Sequence, residues 1–304
     1  MKRFDVIGFG ALNVDKLYKV NKIAGPEEEG FIKGFEETCG GSAANTVVGL
    51  ARLGCTVGFI GKVANDREGR MLLEDFRRED VNTKGIIRAK EGRSGTVMGF
   101  VDERGERALY VDPGVNDTIS FEEVDKGYAS QAKFLHLTSF VGEKSFETQK
   151  KLVETLPEDV KISMDPGELY ARKGMEALKP ILERSFVFMP NSRELTLLTG
   201  AEDYVEGAKQ LLELGVKIVA VKLGGDGCYV TDGKESHHVE AFKVQIVDTT
   251  GAGDAFCAGF LYGLLNNKSL KECAKLGNFV ASRCIMRMGA RIGLPRLEEL
   301  KPLL

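Results

Sequence analysis

Short apolar segments with the character of β-strands alternate with helical segments through most of this 304-residue chain. Strand candidates include FDVIGFG at 4–10, TVGFIGKV at 56–63 and AKFLHLTSF at 132–140. One helical candidate between the first two is SAANTVVGLARLG at 42–54, which ends at a glycine. Because parallel strands need a long crossover, usually a helix, this order predicts an α/β fold in which helices cover a mostly parallel central sheet.

Two segments interrupt the alternation. Residues 12–39 contain scattered glycines and acidic residues without a helical period, and RSGTVMGFVDERGERALYV at 93–111 predicts two strands around the turn DERGE. We expect a single domain over 1–304, with a small β-sheet lid built from roughly 12–39 and 93–113. A lid that closes over a site excludes water, which a group-transfer enzyme needs.

The charge balance and the cysteines argue against several classes of function. Lys and Arg number 42 against 45 Asp and Glu, a net charge of −3, so no basic field attracts nucleic acid. We find no apolar run long enough for a membrane span and no signal peptide. Six cysteines without a C-x-x-C pair, and three histidines without zinc spacing, predict free thiols in a reducing cytoplasm. Cys257 and Cys273 have the pattern of core residues.

The stretch VIGFGALNVD at 6–15 contains the start of a dinucleotide-binding pattern, G-x-G-x-x. That fingerprint requires a helix directly after its glycine turn. Here ALNVDKLYKV alternates and carries β-branched Val14 and Val20, which favours a strand. On a strand, Asn13 and Asp15 point to the same face, and an amide beside a carboxylate suits the binding of vicinal hydroxyls.

The stretch GGSAAN at 40–45 places two glycines just before a helix. Gly40 and Gly41 would let a ligand approach the backbone closely, and Asn45 in the first helical turn could face the same ligand. A turn in which Ser42 caps the helix explains the segment equally well.

The stretch IVDTTGAGDAF at 246–256 gives the strongest indication of function. We expect a strand to end at Val247, followed by a glycine-rich loop and a helix whose first amides can bind an anion. A carboxylate in that turn, Asp254, would repel an anion, unless it acts on a neighbouring hydroxyl while the amides hold a transferring phosphoryl group. The alternative role, a partner of the helix dipole, is worth only about 0.3–1 kcal/mol, and we favour catalysis.

The last two stretches resemble the two signatures of the ribokinase-like, or phosphofructokinase-B (PfkB), family of carbohydrate kinases, and the likeness covers almost the whole chain. Weaker motifs agree with it: Asn13-x-Asp15, DPGVN at 112–116, PNSRE at 190–194 and VKLGGDG at 221–227. GKVANDREG at 61–69 differs from the family pattern at Ala64, which replaces a glycine. The resemblance implies a mostly parallel sheet with helices on both faces and a small β-sheet lid.

The resemblance also implies roles at the reacting centre. Asp254 would be the general base for the acceptor hydroxyl. An aspartate of ordinary pKa, near 3.9, is a weak base, so it would orient the hydroxyl first and take the proton late. The amides that hold the phosphoryl oxygens would be those of Gly251, Ala252 and Gly253. The acceptor's hydroxyls would be held by Asn13, Asp15, Gly40, Gly41 and Asn45.

For the phosphoryl donor and the cations, the resemblance implies a further set of residues. Asn191 and Glu194 would organise Mg²⁺ and phosphate through water, although Asn191 would also cap the following helix. The nucleotide pocket would be lined by Lys222, Gly224, Gly225, Gly227 and Asn278. A monovalent cation such as K⁺ would bind at Asp248 and Thr250, near Gly289. For Asp66 and Asp112 we expect only a helix cap and a turn.

The family chemistry implies transfer of the γ-phosphate of ATP to a hydroxymethyl group of a ribose- or fructose-type sugar. A nucleoside kinase is the alternative and would need an aromatic wall, yet lid core explains at least two of the candidates Phe31, Phe35, Phe100 and Tyr110. A sugar-phosphate kinase would need basic residues near the acceptor. The sequence leaves open ADP as donor and the oligomeric state, although an apolar lid edge would suit a homodimer. A catalytically silent binding protein ranks low because Asp254 and the loop glycines are present.

Overall fold

The computed structural model describes residues 2–303. Within them, thirteen strands occur in chain order. They are β1 Phe4–Phe9, β2 Asn13–Val20, β3 Ile32–Gly40, β4 Val57–Val63, β5 Asn82–Arg88, β6 Gly95–Val101, β7 Arg107–Asp112, β8 Ala132–Thr138, β9 Lys161–Asp165, β10 Ser185–Phe188, β11 Ile218–Lys222, β12 Cys228–Thr231 and β13 Ser236–Val239.

The same residues form eleven α-helices and several short 3₁₀ turns, including 114–118 and 224–226. The α-helices are α1 Ser42–Arg52, α2 Arg67–Arg78, α3 Lys126–Ala129, α4 Glu143–Thr155, α5 Gly167–Ala171, α6 Gly174–Arg184, α7 Ser192–Thr199, α8 Tyr204–Glu213, α9 Ala252–Leu265, α10 Leu270–Cys284 and α11 Leu297–Leu300. No helix among residues 2–303 is both long enough and apolar enough to cross a membrane.

The larger sheet has nine strands in the order β13-β12-β11-β10-β9-β8-β1-β4-β5. All neighbours run parallel except β11–β12 and β12–β13, which are antiparallel. Its central strands are buried on both faces, as β4 shows with every residue buried, because helices cover both sides and each side has its own apolar core. The predicted mostly parallel sheet with helices on both faces is therefore confirmed.

Four strands form a second sheet, the small sheet, in the order β3-β2-β6-β7. Its central strand β2 pairs antiparallel with β3 and parallel with β6, so that Asn13 lies between Gly40 and Gly95. Residues 13–20 are extended, as the alternation in ALNVDKLYKV predicts. The small sheet thus carries Asn13 and Asp15 on one face, because the side-chain direction repeats every second residue.

The aromatic residues of the small sheet pack on one another on the opposite face. Tyr18 pairs across the sheet with Phe35 and Phe100, at ring-centroid distances of 5.0 and 5.2 Å. Phe100 in turn contacts Tyr110 edge-on. Phe31 is 66% exposed beyond this cluster. The rings of Tyr18, Phe35, Phe100 and Tyr110 therefore lie away from the face of Asn13 and Asp15.

Two expectations about local structure are wrong. No strand ends at Val247: residues 241–250 form no strand, because the amides of Val247 and Asp248 donate to the carbonyl of Ile285 after α10 rather than to a neighbouring strand. Ser42 does not cap α1, since the N-cap position is Gly41 and Ser42 is already the first helical residue. By contrast Asp66 does cap α2, and Asp112 accepts a hydrogen bond from the amide of Gly114 in the predicted turn.

Candidate active site

Asp254 lies in the first turn of α9 and meets α1 from the other side of the site. The side-chain amide of Asn45 donates to Asp254 Oδ2 at 2.8 Å, and the hydroxyl of Thr46 donates to the Asp254 carbonyl at 3.2 Å. Burial raises the pKa of Asp254 to about 7, an effect that the hydrogen bonds from Asn45 and Ser42 only partly offset. The sequence argument assumed an ordinary aspartate, whereas the structure gives a carboxylate matched to proton transfer near neutral pH.

Backbone amides at the start of α9 are free to bind an anion. The N-cap residue Gly251 has a left-handed backbone, with φ of 77°, and no side-chain cap. A Cβ there would lie 2.5 Å from that of Ala290, so only glycine fits. Among residues 2–303, the amides of Gly253 and Asp254 have no backbone acceptor, whereas the amide of Ala252 donates to Thr249 at 3.2 Å. The amide of Asp254 is thus a further candidate beside those expected from the sequence, and the phosphoryl-binding role of Gly251, Ala252 and Gly253 stays a prediction.

A buried ion pair lies directly beneath these amides. Lys222 Nζ donates to Asp165 Oδ2 at 2.5 Å, and both side chains are about nine-tenths buried. A Cβ built on Gly253 would lie 3.2 Å from Lys222 Nζ, so the ammonium group touches the anion site. Burial disfavours the charge of Lys222, but Asp165 outweighs burial and keeps the lysine pKa above its ordinary value. Lys222 is thus a fixed positive charge in the site.

Asn191 and Glu194 form a capping box at the start of α7, as expected for the capping role. The amide of Glu194 donates to Asn191 Oδ1 and the amide of Asn191 to Glu194 Oε2, both at 2.8 Å. Burial, followed by the neighbouring Asp165, raises the pKa of Glu194. The charge of Lys222 opposes this shift without cancelling it.

The glycine-rich nucleotide loop and Asn278 meet at one backbone segment. A Cβ on Gly227 would lie 2.0 Å from the carbonyl oxygen of Val239, whereas Gly224 and Gly225 face open space. Asn278 donates to the carbonyls of Val239 and Glu240 at 2.8 and 3.0 Å. The structure thus brings the loop and Asn278 together, with the side-chain N–H groups of Asn278 holding the wall of the loop.

The predicted acceptor-binding residues converge near Asp254. Asn13 Oδ1 accepts from Asn116 at 3.0 Å, and the Asp15 carboxyl group approaches so closely that a Cβ on Gly40 would lie 2.3 Å from its Oδ2. Burial raises the pKa of Asp15 to about 6, opposed by the charge of Arg291. With Gly41 and Asn45 at the start of α1, these residues form one polar cluster between the two sheets.

Asp248 and Thr250 lie together before α9. The amide and hydroxyl of Thr250 both donate to Asp248 Oδ1, at 3.0 and 2.7 Å, and the amide of Gly289 donates to Oδ2 at 2.8 Å. Although burial opposes the charge, these bonds lower the pKa of Asp248. The carboxylate is therefore ionised and fixed in orientation.

Two residues of the candidate site escaped the sequence analysis, Asp165 and Arg291, and a third, Asn116, appeared there only as the end of the motif DPGVN. Asp165 pairs with Lys222, and Asn116 holds Asn13. Arg291 donates to Asn45 Oδ1 at 2.7 Å and also binds Asp75. The position of Asp165, at the carboxyl end of a buried strand and before a proline, could have indicated it, since ligands bind at the carboxyl ends of parallel strands. No local sequence pattern indicated that Arg291 belongs to the candidate site.

Comparisons with known proteins show what the chain is similar to. An uncharacterized sugar kinase from Archaeoglobus fulgidus is 51% identical over 252 residues, 82% of this chain and 99% of that protein. An ATP-dependent ribose-1-phosphate kinase from Halopiger xanaduensis is 32% identical, over 94% of this chain and 93% of its own. A candidate ribokinase II from E. coli, solved with ATP and Mg²⁺, matches with a TM-score of 0.86 at 25% identity, over 99% of this chain and 98% of its own.

Over residues 4–297 the sequence matches the family described as pfkB family carbohydrate kinase. The chain belongs to that family: it is a carbohydrate kinase with a ribokinase-like fold, a phosphotransferase that acts on sugars.

Proposed function

We propose that the protein transfers the γ-phosphate of ATP, with Mg²⁺, to a hydroxymethyl group of a ribose- or fructose-type sugar. One observation carries the proposal: the Asp254 carboxylate, with a pKa near 7, lies in the same helical turn as the free amides of Gly253 and Asp254. A base for the acceptor hydroxyl and two amides that can hold a phosphoryl group are thus adjacent. Phosphoryl transfer depends mainly on such positioning.

In the proposed reaction, the acceptor's hydroxyl oxygen attacks the γ-phosphorus. A new P–O bond forms as the bond to the β,γ-bridging oxygen breaks, ADP leaves, and the hydroxyl proton passes to Asp254. Charge on the transferring oxygens is stabilised by the free amides and by the ammonium group of Lys222, which Asp165 holds in place. Asn13 and Asp15 orient the sugar's other hydroxyls.

Mg²⁺ would fit beside the carboxyl group of Glu194, at the start of α7. Burial raises the pKa of Glu194, so a cation bound nearby would stabilise the ionised form of this carboxyl group. Within residues 2–303, no group of three or more His, Cys, Asp or Glu side chains could hold a metal alone. Glu194 and Asn191 would hold the ion through water, together with the substrate phosphates, as Mg²⁺ commonly binds. Bound Mg²⁺ would neutralise phosphate charge. Asp248 and Thr250 are our candidates for a K⁺ site.

The surroundings of Asp15 favour an uncharged sugar over a nucleoside or a sugar phosphate. The rings of Tyr18, Phe35, Phe100 and Tyr110 face away from Asn13 and Asp15, so these four give no stacking wall for a base. Arg291 is the cation nearest the acceptor residues, and its charge is offset by Asp75. A sugar phosphate is the second candidate, because the Halopiger xanaduensis relative is a ribose-1-phosphate kinase and Arg291 could bind an anion if the contact with Asp75 shifted.

The test is turnover of Mg-ATP with ribose, fructose, ribose 1-phosphate and adenosine, measured as ADP release and as the mass of the product. We expect an acceptor-dependent rate with a sugar and a product heavier by one phosphoryl group. ADP release no faster than in the acceptor-free control, for every acceptor, would contradict the proposal. A change in NADH fluorescence on mixing would instead indicate a dehydrogenase.

We also propose that two copies associate through the small sheet in the cytoplasm. Apolar side chains on this sheet are widely exposed, among them Phe31 at 66%, Ile32 at 60% and Tyr110 at 59%. Contiguous apolar surface of this kind commonly marks an interface. Sedimentation should give a dimer for the intact chain and a monomer for Phe31→Ser/Tyr110→Ser. A monomer for the intact chain would exclude this arrangement.

A further inference from the structure

A cavity of about 720 Å³ lies beside the point where the chain enters and leaves the small sheet. One wall is formed by residues 88–93, which lead from β5 towards β6, and the other by Gly114, Val115 and Thr118, which follow β7. Its volume is within the range of small-molecule sites, about 300–1,000 Å³. None of the residues assigned above to the acceptor, the nucleotide or catalysis lines it.

The cavity is positively charged, although the whole protein is not. Four cationic side chains line it, those of Lys62, Arg88, Lys90 and Arg93, against two acidic ones, Glu91 and Glu123. The chain as a whole carries a net charge of −3. An excess of positive charge in a concave site on an anionic protein attracts small anions selectively.

Two of these cations are unpaired. Arg88 and Lys90 are exposed, and in the described part of the chain neither forms a salt bridge or a side-chain hydrogen bond. The other two are already engaged. Lys62 is 7% exposed and donates to Glu123 Oε1 at 2.6 Å. Arg93 lies 2.9 Å from Asp112. The guanidinium group of Arg88 and the ammonium group of Lys90 are therefore available to an incoming ligand. The paired side chains of Lys62 and Arg93 form part of the cavity wall.

The backbone that joins the two walls is held rigidly. The amide of Val115 donates to the carbonyl of Arg93 at 2.8 Å. Gly114 has a φ of 52°, and a Cβ there would lie 2.2 Å from that carbonyl oxygen. A site whose walls are fixed before binding loses little entropy when it is occupied.

We propose that this cavity is a second binding site for a small phosphate-bearing anion, held chiefly by Arg88 and Lys90. An arginine side chain presents parallel N–H groups that match two phosphate oxygens, and a lysine adds a point charge. The ligand is either free phosphate or the phosphate group of a small metabolite, since both present the same oxygens. The site goes beyond the kinase function and does not depend on it.

Calorimetric titration with inorganic phosphate and with glycerol 3-phosphate tests the site. The protein is first saturated with Mg²⁺ and an ATP analogue whose β,γ-bridging oxygen is replaced by NH, so that the anion cradle at α9 is occupied. We expect one equivalent of phosphate or of the ester to bind. Tighter binding of phosphate would identify the free ion, and tighter binding of the ester a phosphorylated metabolite. No binding of either probe would overturn the proposal.

Three variants sharpen the experiment. Arg88→Ala/Lys90→Ala should weaken binding about tenfold or more, because charge-assisted hydrogen bonds are lost. Lys84→Ala/Lys271→Ala removes two exposed positive charges elsewhere and should leave the affinity within about twofold. Glu123→Gln removes a negative charge from the wall, keeps a side chain suited to its capping box, and should tighten binding. Equal weakening in both double variants would reveal diffuse attraction only and would overturn the site.

Discussion

The two halves of the candidate active site are built in opposite ways. Around Asp254, charged side chains are buried and paired: Lys222 and Asp165 are about nine-tenths covered and touch the anion site. On the small sheet, Asn13 and Asp15 both project from β2, and other side chains of this sheet are widely exposed, such as Leu109 on β7 at 59%. In the proposed function, phosphoryl transfer thus depends on the packed body, and acceptor binding on a thinner element. Changes in the first half should lower turnover, and changes in the second should lower acceptor affinity.

The largest effect is expected for Asp254→Asn. Loss of the general base should lower kcat by about 10²–10⁴, with little change in acceptor KM. In the native protein kcat/KM should fall as the pH drops through about 7, because protonated Asp254 cannot accept a proton. That decrease should be absent from the residual activity of the variant. Initial rates between pH 5 and 9 check both effects.

The matched control is Asp159→Asn, which changes a carboxylate that is 70% exposed and far from the site in the fold. It should retain native turnover and the native pH profile. Turnover near the native value in Asp254→Asn would exclude the assigned role.

The second effect concerns the buried ion pair. Asp165→Asn leaves Lys222 charged without its partner, and breaking such a pair typically costs about 3–5 kcal/mol of unfolding free energy. Asp165→Asn/Lys222→Met removes the unpaired charge and should recover much of the stability, yet turnover should stay low because the cation beneath Gly253 is gone. Urea unfolding measures the effect on stability, and initial rates measure the effect on turnover.

The partly exposed pair Lys150–Glu147 gives the comparison for stability. Glu147→Gln should change the unfolding free energy by less than about 1 kcal/mol, as for most surface pairs. Native turnover in Asp165→Asn/Lys222→Met would show that the pair only stabilises the fold.

The smallest effect is expected on the small sheet. Gly40→Ala places a methyl group where the Asp15 carboxyl group now lies, 2.3 Å from its Oδ2, and should displace that carboxyl group. We expect acceptor KM to rise about tenfold, or ~1.4 kcal/mol, with kcat within about threefold. Gly34→Ala on the same strand meets only an ordinary contact at 3.5 Å and should leave KM unchanged. Equal KM values for the two variants would remove Asp15 from acceptor binding.

The sequence predicted the layered architecture and the central residues of the site, because both depend on local patterns. Alternation of strand and helix determines the parallel sheet, and a glycine-rich loop before a helix with Asp254 determines the anion site. The extended conformation of residues 13–20 followed from their alternation in the same way. Each of these inferences depends only on residues that are close together in the sequence.

Other features depend on contacts between distant segments, and the sequence did not reveal them. The pKa of Asp254 results from burial first, and then from the hydrogen bond of Asn45 and the opposing charges of Asp165 and Lys222, which lie far apart in the chain. Arg291 reaches Asn45 across 246 positions. The strand expected before Asp248 failed for the same reason, since the end of α10 supplies its hydrogen-bond acceptor.

Asn116 connects the segment that enters the small sheet, before β2, to the segment that leaves it, after β7. Its side chain exchanges hydrogen bonds with the backbone of Leu12, at 3.0 and 2.9 Å, just before β2, while its own backbone follows β7. Any tilt of the sheet would therefore pivot near Asn13. From there to Val20 the strand extends about 23 Å, so a 10° tilt would carry the tip by about 4 Å and leave Asn13 almost stationary. The far end of the small sheet could therefore move while Asn13, which we propose binds the acceptor, keeps its position.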